Sequence, residues 1–162
     1  MKKNFYIVLL FTITSISFSQ TKEDTSNWIL KELTNHQLKG DIGYSNYFIN
    51  EGSITEEYLW NTTGKFTKGS YAKISLKNIY QIEIDKSQVG YIFNLKCKNN
   101  CVSIRWYDND EKIKEQYSIQ TFTIQIDQND STLLNRIPKA LIHLIKLYGG
   151  NAKIVPLKKD PF

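Results

Sequence analysis

Apolar and polar positions alternate through much of the middle of this chain, which predicts extended structure there. Segments rich in Tyr, Ile, Phe, Thr and Val run from Tyr44 to Asn50, Glu57 to Asn61, Ser70 to Leu76, Ile79 to Ile84, Val89 to Cys97, Cys101 to Tyr107 and Lys114 to Ile126, with Gly, Asn and Asp between them. Seven short strands without intervening helices predict an antiparallel meander that closes into a barrel or a sandwich. The period then changes. From Ser131 to Tyr148, Leu134, Ile137, Leu141, Leu144, Ile145 and Tyr148 recur at helical spacing, so an amphipathic helix should pack across the barrel. Pro138 should kink that helix or mark its first turn, and Gly149-Gly150 supplies a left-handed stop. Ahead of the strands, Trp28, Ile29 and Leu33 predict a short helix capped by Asp24 or Thr25 and ending near Gly40. The expected class is therefore α+β, mostly antiparallel.

The N-terminus departs from both patterns. In MKKNFYIVLLFTITSISFSQ, Lys2 and Lys3 precede an apolar run from Phe5 to Ile13 and then a zone of small residues, the three-part pattern of a secretory signal peptide. Ser17 and Ser19 take the two small positions before the cut, so residues 1–19 are expected to be removed and Gln20 to lead the mature chain. The run is too short to span a membrane, and the mature chain is expected to be periplasmic or secreted, with no transmembrane segment. Residues 20–150 are read as one domain and 151–162 as an irregular tail. With 21 basic and 16 acidic side chains the net charge is +5, and without Lys2 and Lys3 it is 19 against 16, or +3. That bias does not argue for nucleic acid.

Export changes the meaning of CKNNC, residues 97–101, which holds both cysteines of the chain. Disulfides persist in oxidising compartments. A hairpin tip here faces two competing demands. A two-residue type I′ turn at Asn99-Asn100 would set Leu95 opposite Ile104 and Phe93 opposite Trp106, but would point the two thiols to opposite sides. A three-residue loop would bring Cys97 and Cys101 face to face at a Cα separation of about 4.5 to 5.5 Å, which a disulfide accepts, and a bulge would restore the apolar phase. The disulfide with a bulge is the expectation.

The order of strands followed by one amphipathic helix resembles the pleckstrin-homology-like barrel. ISLKNIYQIEI is similar to the strand, turn and strand that open such bacterial domains, and NRIPKALIHLIKLYGG with KKDPF resembles the end of short exported bacterial proteins of unknown function. The resemblance covers most of residues 41 to 150 and implies a fold used mainly for recognition. Family members that bind phosphoinositides carry a basic motif ending in arginine in the first hairpin. Lys65, Lys68 and Lys73 are the nearest counterparts and no arginine follows them, so lipid-headgroup binding is not carried over.

Candidate chemistry is sparse. GKFTKGS, residues 64–70, has the glycine spacing of a phosphate loop but Ser70 where lysine is required, and reads as a turn. Trp60, Trp106 and Tyr107 could line a pocket, although aromatics in strands usually pack across the sheet. DNDEK lacks the ligand spacing of a calcium loop. His36 and His143 lie far apart in sequence, and no nucleophile elbow is present. No catalytic residue, metal or cofactor is expected. The one directional surface is on the last helix, where Arg136, Lys139, His143 and Lys146 share the face opposite the apolar stripe and could meet a protein, polysaccharide or envelope-surface partner. The function expected is a non-catalytic interaction module, with a lipocalin-like carrier as the alternative and a hydrolase after that.

Overall fold

The computed structural model describes residues 21–38, 43–62, 64–108, 110–127 and 130–155. The expected signal peptide, residues 1–19, and residues 156–162 of the tail lie outside that set.

Helix α1 spans Lys22–His36. Its N-cap is Thr21, not Asp24 or Thr25: the Thr21 hydroxyl accepts from the Asp24 N–H, and the Asp24 carboxylate accepts from the Thr21 N–H, a reciprocal capping box. Fifteen residues make it as long as the C-terminal helix, so it is not the short element expected. It ends at His36, and Gln37 then bridges to Ile126.

Among the described residues nine strands follow: β1 Gly43–Asn50, β2 Ser53–Thr62, β3 Lys65–Ser75, β4 Ile79–Lys86, β5 Gly90–Cys97, β6 Val102–Tyr107, β7 Ile113–Ile119, β8 Thr121–Asp127 and, after helix α2 (Leu133–Leu147), β9 Lys153–Val155. They form a five-stranded sheet ordered β1-β2-β3-β6-β7 and a four-stranded sheet ordered β8-β5-β4-β9. All pairings are antiparallel except β4 with β9. The sheets are not closed into a barrel. GKFTKGS supplies a turn only at Gly64, and the rest of it is strand β3. Part of the expected tail is also ordered, since Gln81, Ile82 and Glu83 pair with Lys153, Ile154 and Val155.

The two sheets are joined at a bend. β3 passes into β4 through a 3₁₀ turn at Leu76–Asn78, β5 into β6 through Cys97–Cys101, and β7 into β8 through Gln120. The segment 114–126 therefore belongs to two sheets rather than to one strand. Likewise β5 and β6 do not pair with each other, so CKNNC is not a hairpin tip. Lys96 pairs with Thr121 and Val102 with Ile119, which leaves residues 97–101 opposite Gln120 alone. This is an oversized bulge on the outside of the bend. Asn99 takes a positive φ of 62° while Asn100 does not, which excludes the type I′ turn, and the Cys97–Cys101 disulfide closes the bulge with the Cα atoms 6.2 Å apart.

The core lies on one face of the four-stranded sheet. Ile82, Leu95 and Phe122 form one cross-strand row and Ile84, Phe93 and Ile124 the next. Helix α2 covers this core with Leu133, Ile137, Leu141, Leu144 and Ile145. It packs against α1, the 3₁₀ turn, β4 and β9, so it shares the covering with α1 and does not lie alone across a barrel. Pro138 sits inside α2, one turn past a first turn held by i→i−3 bonds such as Leu134 N–H to Ser131 O. At the other end Gly149, at φ +80°, and Gly150 donate to Lys146 O and Ile145 O, the paired bonds of a Schellman stop.

Candidate functional site

The five-stranded sheet changes character with distance from the bend. Beside it, one row reads Ile49, Ile54, Ile74, Val102 and Ile119. The next row on that face is Tyr47, Glu56, Ala72, Ile104 and Tyr117, and the third is Ser45, Tyr58, Ser70, Trp106 and Glu115. Side chains on one face recur every second residue, so a face that is core at the bend turns polar and aromatic farther out.

Ser45, Tyr47, Glu56, Tyr58, Ser70 and Trp106 of these outer rows wall a groove of about 470 Å³ that Thr123 and Gln125 of β8 and Gln37 and Leu38 after α1 also line. At its floor the Glu56 carboxylate accepts, through Oε1, the Ser45 hydroxyl at 2.6 Å and the Tyr47 hydroxyl at 3.2 Å. Burial pushes the Glu56 carboxyl above its ordinary range, opposed by those two donors. Tyr47 is held neutral by its own burial and by the nearby Glu56 charge, and its oxygen is also bonded to the Gln125 backbone. The Gln37 side-chain oxygen is buried without a hydrogen-bond partner.

Aromatic rings complete the groove. Trp60 is 43% exposed and packs edge-on to Tyr58 at 5.9 Å between centroids. Its indole rests against Gly69, the extra residue of a bulge where Tyr58 pairs with Ser70 but Leu59 with Lys68; a Cβ at Gly69 would run into the Trp60 ring. Trp106 donates its indole N–H to the Tyr117 hydroxyl at 2.9 Å, which fixes that ring. Trp60 and Trp106, expected to be sheet packing, thus wall a groove; Tyr107 lies in an adjoining recess, under the Lys68 ammonium. Glu56, Ser45, Tyr47 and Gln37 went unrecognised. Their only signal was the polar residue at Glu56 within the alternation Ile54, Glu56, Tyr58, Trp60.

The basic face of α2 is brought into a second groove. Arg136, Lys139 and His143 line it with Asp24, Thr25 and Trp28 of α1, while Lys146 is exposed and does not line it. These residues therefore do not all stand opposite the apolar stripe. The Arg136 guanidinium lies 5.0 Å from the Trp28 ring centroid, and the Thr25 hydroxyl and His143 Nε2 are buried without partners. Elsewhere, His36 lies between Asp127, 3.3 Å from Nδ1, and Glu32, 3.8 Å from Nε2. In DNDEK the Asp108 carboxylate accepts the Asp110 and Lys112 N–H groups and closes the β6–β7 turn. Among the described residues no group of three or more His, Cys, Asp or Glu could hold a metal ion, and no helix is long and apolar enough to cross a membrane.

No protein-family model, curated protein or solved structure matches the chain.

Proposed function

We propose that the chain is an exported, non-catalytic binding module and that its ligand site is the groove between the outer five-stranded sheet and β8. The observation that carries this reading is Glu56, whose carboxylate is oriented by Ser45 and Tyr47 at the floor of an aromatic-walled groove. A concave site with a few convergent polar groups among aromatic walls suits ligand recognition. Export is supported by the pattern of residues 1–20 and is compatible with the Cys97–Cys101 disulfide. The pleckstrin-homology-like likeness enters as analogy, on the order of strands before an amphipathic helix.

The lipocalin-like alternative needs open space where Phe93, Leu95, Phe122 and Ile124 are packed. A hydrolase reading gains from Glu56, a carboxyl with a raised pKa in a groove. Glycoside hydrolysis, however, ordinarily uses a second carboxyl across the scissile bond, and Glu56 is the one acid among the described lining residues. Saturable change in tryptophan emission with a groove ligand, lost in Trp60→Ala, is the expected result. Turnover of any substrate abolished by Glu56→Gln would replace the binding reading with a catalytic one.

A further inference from the structure

The groove's charge and its unpartnered atoms narrow the ligand class, an inference that rests on the binding reading above. No lysine, arginine or histidine is among the described residues lining it, so the Glu56 carboxylate, when ionised, has no counter-charge among them. Two lysines line the adjoining recess: Lys68, whose ammonium is 3.2 Å from Glu57 and lies over the Tyr107 ring, and Lys114, which shares the recess with Asp108 and Glu115. Both donors on Glu56 reach Oε1, which leaves Oε2 without a described protein donor. Gln37 Oε1 is a second acceptor without a donor. The described lining thus supplies hydroxyl and amide donors but no positive charge.

Its walls favour the same complement. Aromatic faces attract cations, tryptophan most strongly. Elsewhere the protein supplies those cations itself, with Lys22 over Tyr148, Arg105 over Tyr71 and Arg136 over Trp28. Among the described residues no side-chain cation lies over Tyr47, Tyr58, Trp60 or Trp106. A neutral polyol would satisfy the acceptors and leave the charge uncompensated. An anion would be repelled.

We infer that the groove binds a small organic primary ammonium, its N–H groups directed to Glu56 and its hydrocarbon part against Tyr58, Trp60 and Trp106. A primary amine fits better than a quaternary one, because it brings N–H donors to Glu56 Oε2 along with its charge.

The test uses the purified chain carrying Trp28→Phe, so that emission reports Trp60 and Trp106, titrated with cyclohexylammonium, cyclohexanol and glucose. The ammonium should bind at least about tenfold more tightly than the alcohol of the same ring, roughly 1.4 kcal/mol. Glu56→Gln, with its circular dichroism unchanged, should erase that preference. Should that variant fail to fold, raising salt to 0.5 M must weaken the ammonium and spare the alcohol, since only the charged probe is screened. Cyclohexanol or glucose binding as tightly as the ammonium would overturn the charge assignment and leave the groove a binding site. No response to any probe, in either the parent or Trp60→Ala, would overturn both readings.

Discussion

The two grooves are built from similar parts and differ in who supplies the cation. Each has a tryptophan, an acid and a buried polar atom without a partner. In the groove between the helices Arg136 covers Trp28, and the Asp24 carboxylate is consumed by the capping box, which holds its pKa below the ordinary range through the Thr21 hydroxyl and N–H. In the sheet groove, among the described residues, no base lines the cleft with Glu56 and no side-chain cation lies over its aromatic rings. A charged aromatic cleft is therefore not in itself a site. The one whose chemistry is left incomplete by its own residues is the better candidate.

The most severe way to break the comparison is to loosen the core that both grooves share. Phe122 is 1% exposed on the inner face of β8, the strand whose opposite face borders the sheet groove through Thr123 and Gln125. Phe122→Ala should cost about 3 to 5 kcal/mol in urea unfolding and weaken every ligand response. Trp60→Ala, at a half-exposed position, should remove the ligand response at a stability cost of about 1 kcal/mol or less. Equal stability losses would mean that the outer rows are core after all.

The disulfide comes next, because it closes the bulge at which β5 leaves one sheet and β6 enters the other. Closing a ring of five residues stabilises by about 2 kcal/mol on the chain-entropy model, so Cys101→Ser should lose about that much. Cys97→Ala should lose somewhat more, since Cys97 is also buried in the core. Paired denaturation curves with and without reductant check this: the parent should shift under reductant and Cys101→Ser should not.

What the chain's alternation revealed and what it hid follow from one geometric fact. Period two says which residues share a face but not where a strand bends from one sheet into another. In Lys114–Ile126 the apolar phase slips at Gln120, from Tyr117 and Ile119 to Phe122, Ile124 and Ile126, but a slip of one residue does not by itself distinguish a bulge from a change of sheet, and CKNNC looked like a hairpin because both flanks alternate. The thiol pair itself was legible, since the export expected from residues 1–20 and a four-residue spacing leave few other uses for it. The helix α2 and its glycine stop were legible for the same local reasons. The sheet groove was not, because Gln37, Ser45 and Glu56 meet only through strand pairing and the return of β8. The basic residues of α2 were visible, but not that α1 would set Trp28 beneath Arg136 or that His143 Nε2 would be buried.

Glu56 sharpens the electrostatic half of the comparison. Its carboxyl pKa is raised in the folded chain, above all by burial, so the folded state holds the proton more tightly than the unfolded state. The stability this contributes is present in full below the unfolded value and is lost as pH rises through the higher folded one. The titratable groups facing it are Tyr47 and Tyr58, with no base among the described lining residues. Glu56→Gln should flatten the pH dependence of unfolding over that window and leave the fold more stable above it. Ammonium binding, which needs the carboxylate, should strengthen with rising pH over the same interval. A parent and a Glu56→Gln protein with parallel stability profiles would show that Glu56 is solvated.

The smallest expected effect concerns the basic groove. Arg136 and Lys139 are both exposed, and replacing them removes one stacked contact on Trp28 and no described ion pair. Arg136→Glu with Lys139→Glu should therefore change stability by about 1 kcal/mol or less, the upper part of that range belonging to the lost cation–π contact. Its effect on binding separates the grooves. If α2 presents a contact surface to an acidic protein or polysaccharide, capture of that partner should weaken in the double variant and also in raised salt, because exposed charges act over about 10 Å at 0.1 M. Cyclohexylammonium binding should be untouched, since neither residue lines the sheet groove. Loss of ammonium binding in this variant would mean that the two grooves are not independent. Unchanged capture of an acidic partner would leave Arg136 as the cation that completes Trp28, and the sheet groove as the stronger candidate for a ligand site.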